Sequence, residues 1–259
     1  MENDMVSVVI PCYNQGKYLT ETVNSVLAST HRPLEIIIVN DGSTDDSLKK
    51  AHQLKDIHPE IKIIDQPNGG VAKARNTGVR AASGEIILPL DGDDKIAADY
   101  LKKGVEVLKE NRLVKVVYCK AVKFYGTIEK FWKLKPFNRH QLARDNMIFI
   151  ASLFWKKDFE AVGGFSEDMV MGREDWEFWI KMLKDGGEVV QLPFIGFYYR
   201  MTPESKRKKT GTNRKKRLRI DYLNAKHSDF FERELNGPLR FQRTWSKPYN
   251  TLLKWLGRL

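Results

Sequence analysis

The chain has 259 residues, 42% hydrophobic and 30% charged, which is the balance of a soluble globular protein able to bury one sizeable core. No apolar run approaches the roughly 20 residues that span a bilayer, and two cysteines with five scattered histidines speak against a disulfide framework or a Cys/His zinc site. The net charge of +11 is concentrated: residues 201–259 hold 16 Lys/Arg and 5 Asp/Glu, whereas residues 1–200 hold 28 of each.

Glu2 and Asp4 precede a short apolar run, Met5–Ile10, which lacks the basic start and long apolar core of a secretory signal, so a cytoplasmic location is expected. Val6–Ile10 and Glu35–Val39 are β-branched runs suited to strands buried on both faces, and Ile61–Ile64 and Glu85–Leu88 repeat the pattern. Leu19, Val23 and Val26 recur at helical spacing between the first two, as do Leu101, Val105 and Leu108 after the fourth. This alternation predicts an α/β fold with a mostly parallel, Rossmann-like sheet flanked by helices. Val114–Ala121 reads as a further strand, and residues 122–160 show no clean period. Trp176, Trp179, Ile180 and Leu183 predict a helix ended by Gly186 and Gly187, followed by two short strands, Val189–Leu192 and Phe194–Tyr199. The basic runs Lys206–Lys209 and Arg214–Arg217 open a C-terminal extension, 201–259, expected to be helical. Residues 1–200 then form the main domain, in two halves, 1–121 and 122–200.

Ligands of open parallel sheets bind at the carboxyl ends of the strands. Those ends read Pro11–Gly16, Asn40–Asp45, Asn68–Asn76 and Asp91–Asp94, and all four are polar and flexible. Asp91, Asp93 and Asp94 crowd three carboxylates into four residues after an apolar strand. They suit either a solvated turn that favours the following helix or a hard cation such as Mg²⁺ or Mn²⁺, which takes carboxylate and phosphate oxygens. Asp41 can accept a hydrogen bond from a nucleobase or ribose, while Ser43 or Thr44 can cap the next helix. Gly69 and Gly70 can let backbone approach a diphosphate, with Arg75 adding charge, and Lys73 reads as a solvated helix residue.

Together these residues resemble the family 2 glycosyltransferases of the GT-A fold. Ser7–Asn14 is similar to their opening strand, Ile38–Asp45 to their second nucleotide loop, Asn68–Gly78 to their Arg-Asn helix start and Leu90–Asp94 to their Asp-X-Asp site. Gly163–Phe165 and Gly172–Trp179 resemble the acceptor-side motif with its Glu-Asp pair. The resemblance runs from about residue 6 to 200. It implies an inverting transfer from a nucleotide-sugar, most often a UDP-sugar, to a glycan or lipid-linked acceptor, as in cell-surface polysaccharide synthesis. Pro11, Tyr13, Asp41 and Arg75 would hold the nucleotide, with Asn14 and Gly70 in the same loops. Asp91 would approach the ribose and Asp93 would ligate the Mn²⁺ or Mg²⁺, with Asp91 a second metal candidate. Asp175 would be the general base, with its neighbour Glu174 and with Asn146 and Trp176 as acceptor-side candidates. Trp176 and Trp179 offer either a sugar-stacking face or core packing. The histidine that often follows the family's Tyr-Arg segment is missing after Tyr199 and Arg200, which leaves any further metal ligand open.

The basic extension suits an anionic membrane surface, because Phe230, Phe231, Phe241, Trp245, Tyr249, Leu252, Leu253, Trp255 and Leu256 accompany the charge. Nucleic acid is not expected as a partner, since no recognised binding module accompanies the charge. Two rival readings share the acidic α/β site: a nucleotidyltransferase, which needs a Gly-rich basic loop after the first strand, and a non-catalytic nucleotide-sugar binder.

Overall fold

The computed structural model describes residues 4–202, 211–241 and 247–257. The first four strands are β1 (Val6–Cys12), β2 (Leu34–Asp41), β3 (Ile61–Gln66) and β4 (Ile86–Pro89), alternating with helices α1 (Gly16–Leu27), α2 (Ser47–Ile57) and α3 (Val71–Ala81). They lie in the order β3-β2-β1-β4, all parallel, as the alternating pattern predicts. Every residue of β1, β2 and β4 is buried, because helices cover both faces of a parallel sheet. Gly78 lets α3 seat directly on that sheet, since an added Cβ would meet Val9 at 2.4 Å and Val39 at 3.0 Å.

The second half turns the sheet mixed. Beyond the short β5 (Lys95–Ile96) and α4 (Tyr100–Glu110), β6 (Val114–Tyr125) is longer than the pattern indicates and forms an antiparallel hairpin with β7 (Ile128–Trp132). The one-turn α5 (Arg139–Leu142) leads to β8 (Leu153–Trp155), which inserts antiparallel between β4 and β6, and then to α6 (Lys156–Ala161). After α7 (Glu174–Leu183), the two short strands expected near the end of the core are one strand, β9 (Glu188–Arg200). It stays continuous because it pairs in parallel with β6 along its length, with register shifts absorbing the irregular sequence, and also pairs with β5.

The extension supplies α8 (Asn213–Lys226), α9 (Ser228–Leu235) and α10 (Lys247–Trp255). Ile220, Leu223, Phe230, Phe231, Leu235 and Leu239 join the main core. Phe230 and Phe231 are fully buried, which corrects their assignment to a membrane-facing set: their area is already spent on α9 packing. Leu252, Trp255 and Leu256 of the last segment are exposed. Lys206–Lys209 and Trp245 lie outside the described residues. No helix among the described residues is long and apolar enough to cross a membrane. Cys12 and Cys119 are buried free thiols, and burial pushes Cys119 up to about 12.

Candidate active site

The loops after β1 and β2 are tied to each other. Asn14 adopts a left-handed backbone, φ +53°, its Oδ1 accepts the Thr44 N–H at 2.8 Å, and its own N–H donates to Ser43 Oγ at 3.0 Å. The Asn14 side chain therefore serves the loop. Ser43 and Thr44 do not cap α2: the preceding Asp45 collects the Ser47 N–H at 3.0 Å and the Gly16 N–H at 3.0 Å, linking both helix starts. Pro11 is buried within β1, whereas the Tyr13 ring is half exposed at the loop.

Asp41 is also committed internally. Its carboxylate accepts Gln66 Nε2 at 2.8 Å and the N–H groups of Gly69 and Gly70, each at 2.9 Å. A diphosphate cannot use those two glycine amides in this conformation, which corrects the expected role of Gly69 and Gly70. Gly70, at φ +87°, instead turns the chain into α3 while Asp41 pins it.

Arg75 projects from α3 into the interior and is 2% exposed. Its guanidinium donates to Asp91 at 2.7 Å and to Glu174 at 2.9 Å, joining the turn after β4 to the start of α7. The charge near Arg75 is thus spent on two protein carboxylates; Asp91 and Glu174 hold its pKa above the ordinary arginine value despite burial. This bridge spans 99 residues of sequence, beyond the reach of local pattern.

The acidic turn is electrostatically strained. Burial, then the neighbouring Asp91, push Asp93 up to about 6, and burial with Asp93 and Asp91 pushes Asp94 well above the usual range. Arg200 braces the turn: its N–H donates to Asp94 at 2.8 Å and its Nε to the Asp93 carbonyl at 2.7 Å. Three crowded carboxylates, two of them raised, fit a divalent cation that relieves their repulsion. Among the described residues no three acidic, Cys or His side chains converge as a ready cage. A hard ion bound by one or two carboxylates and completed by substrate phosphate needs no such cage.

Asp175 lies in the first turn of α7. Asn146 Nδ2 donates to its Oδ2 at 2.7 Å, so Asn146, the candidate acceptor contact, lies beside this carboxylate. Burial first, then Glu174, push Asp175 up to about 6, against the pull of Arg173 and Arg75. Gly172 and Arg173 reach α7 through left-handed backbone, φ +81° and +64°. That bend is clamped by Arg219 of α8, whose guanidinium donates to the carbonyls of Met171 at 2.6 Å and Gly172 at 2.9 Å. Arg173 pairs with Asp145, beside Asn146. Trp176 is fully buried, and its indole N–H donates to the Leu142 carbonyl at 2.7 Å, so it packs the core and offers no sugar-stacking face; Trp179 is likewise buried.

Asp91, Asp94, Asn146, Glu174 and Asp175 line one cavity of about 650 Å³ with Trp132 and Tyr199. Sequence reasoning missed Arg219, Arg200, Asp145 and Asn76. Asn76 closes both its amide ends on the Phe165 backbone, at 2.8 and 2.9 Å, and so fixes the Gly163–Phe165 bend. The Arg-Asn helix start and the Tyr-Arg segment already contained Asn76 and Arg200 without giving them a role; Arg219 and Asp145 leave no local signal.

A nucleotide-type parallel sheet with an acidic turn and a Glu-Asp pair at one cavity defines a transferase of the GT-A type. The family described as Glycosyl transferase family 2 matches residues 7–179, and this chain belongs to it. The chondroitin synthase of Pasteurella multocida is 30% identical over 185 residues, 70% of this chain and 19% of that protein. An uncharacterized glycosyltransferase of Nostoc sp. is 44% identical over 114 residues, 44% of this chain and 35% of its own length. The chain thus spans between a fifth and little more than a third of these relatives. Among solved structures, Staphylococcus aureus TarS 1–349 with UDP-GlcNAc superposes with a TM-score of 0.70 at 20% identity, covering 91% of this chain and 72% of that one. The mannosyltransferase PcManGT of Pyrobaculum calidifontis, with GDP-Man and Mn²⁺, gives 0.70 at 18% identity, covering 99% and 75%. Both share the fold.

Proposed function

We propose that this chain transfers a sugar, with inversion, from a nucleoside diphosphate sugar to a hydroxyl of a glycan or lipid-linked acceptor, with a UDP-sugar as donor. The observation that carries the reading is the meeting of Asp91 and Asp175 at one cavity, with Arg75 linking their two elements. The neighbours bound to UDP-GlcNAc and GDP-Man support a nucleotide-sugar, and the Mn²⁺ of the second supports a divalent ion. In this reading Pro11, Tyr13 and the Asp41 loop border the nucleotide, and Asp93 and Asp91 hold Mg²⁺ or Mn²⁺. When bound, that ion supplies charge to the departing diphosphate as a Lewis acid.

Asp175 takes the proton of the acceptor hydroxyl, which is too weak a nucleophile without it. Asn146 orients the carboxylate for that role. The hydroxyl oxygen bonds to the anomeric carbon as the bond to the diphosphate oxygen breaks on the opposite face, which inverts the centre in one displacement. Residues 1–121 then carry the donor half, 122–200 the acceptor half, and the 201–259 extension closes the acceptor wall through Lys216 and Arg219.

A screen of nucleotide-sugars for metal-dependent release of the nucleoside diphosphate tests the reading. Asp175→Asn should keep UDP binding with Mn²⁺ and lose transfer by about 10²–10⁴-fold, the range of general-base catalysis. Transfer at a near wild-type rate in that variant removes Asp175 as base. A chain that binds UDP with metal but releases none from any sugar donor is a non-catalytic binder.

A further inference from the structure

The acceptor end of the cavity carries a charge that a neutral sugar does not call for. The β6–β7 hairpin and the segment leaving it contribute Lys123, Lys133 and Lys135, and α8 contributes Lys216. The cavity lining carries seven Lys/Arg against five Asp/Glu, so it is net positive, and its four lysines gather at the end formed by β6, the segment after β7 and α8. They also lie away from the nucleotide: β6 is three strands from β1 in the sheet, about 14 Å at ordinary strand spacing. Trp132 and Tyr199, with ring centroids 5.3 Å apart, stand among them, and Lys123 lies 4.4 Å over the Trp132 ring. An aromatic pair next to cations holds an apolar ring or polyol face and an anion side by side.

We propose that the acceptor is an anionic chain, its phosphate or carboxylate groups held by Lys123, Lys133 and Lys135 while its hydroxyl-bearing unit rests against Trp132 and Tyr199, facing Asp175. The inference rests on the reading of Asp175 as base, and it gives the acceptor a chemical class. Lys133 and Lys135 are exposed, so their removal leaves the core intact.

The test measures binding of three length-matched probes to the full chain by calorimetry at low and moderate salt: linear polyphosphate, oligogalacturonate and a neutral maltooligosaccharide. One or both anions should bind, more weakly as salt screens the lysines, and the neutral chain should not; which anion binds distinguishes phosphate from carboxylate. Lys133→Gln with Lys135→Gln should weaken the anion at least tenfold while UDP affinity with Mn²⁺ stays the same. Arg214→Gln with Arg217→Gln, two exposed tail residues outside the cavity lining, should change neither. The proposal is overturned if the neutral chain binds as well as the anions, if UDP with Mn²⁺ displaces them, or if the tail variant alone loses them. Asp175→Asn should retain anion binding, so failure of the base assignment and failure of this inference give different results.

Discussion

Replacing Arg75 by Met should destabilise the protein by about 3–5 kcal/mol, the range for breaking a buried ion pair at one partner. The Arg75 and Glu174 side chains are 3% and 11% exposed and 2.9 Å apart, so the lost guanidinium leaves a largely buried carboxylate without that counter-charge. At an effective dielectric of about 20 the direct attraction over that distance is about 6 kcal/mol, enough to supply the loss after desolvation. Asp91, 30% exposed, adds at most about 1 kcal/mol, because solvent screens it. Urea unfolding followed by tryptophan fluorescence reads the loss, with an unchanged denaturant slope showing that the native state is intact. Arg75→Met with Glu174→Gln should recover much of it, since the more buried of the two carboxylates that Arg75 serves is then neutral. A loss below about 1 kcal/mol in the single variant, or a double variant no more stable than the single one, would refute a buried-charge bridge between α3 and α7.

The same geometry yields four shorter expectations. Asp175 must be ionised to accept a proton and its pKa is raised to about 6, so kcat/KM should rise with pH through about 6 and level off above it; a flat profile from 5 to 8 contradicts this. Asn146→Ala removes a hydrogen bond that favours the ionised carboxylate, and the rising limb should move upward by about one unit. Arg219→Met frees the Met171 and Gly172 carbonyls that hold the left-handed entry to α7, so kcat should fall at least tenfold while UDP affinity is kept; rescue by Arg219→Lys should be partial, because a lysine lacks the fork that reaches both carbonyls. Deleting residues 242–259 should abolish flotation with anionic liposomes and leave the fold intact, because the exposed Leu252, Trp255 and Leu256 lie there while Phe230 and Phe231 are core; deletion from 211 onward should unfold the chain instead.

The sequence by itself determined the parallel half of the sheet and the position of the acidic turn. The runs Val6–Ile10, Glu35–Val39 and Ile86–Leu88 lie in strands because short, mostly β-branched apolar runs suit a sheet covered on both sides, and polar residues then gather where those strands end. The family followed from the same ordered motifs. Tertiary structure decided which partner each polar group takes: Arg75 meets Glu174 across 99 positions and Asp175 meets Asn146 across 29, and no periodicity encodes such a meeting. It also decided that Trp176 and Phe231 are core, that Asp41 keeps the Gly69 and Gly70 amides for itself, and that Arg219 of the basic extension braces the carboxylate expected to act as base. Burial and pairing depend on what the rest of the chain brings alongside, so composition and spacing fix the strand ends while long-range packing fixes what those ends can do.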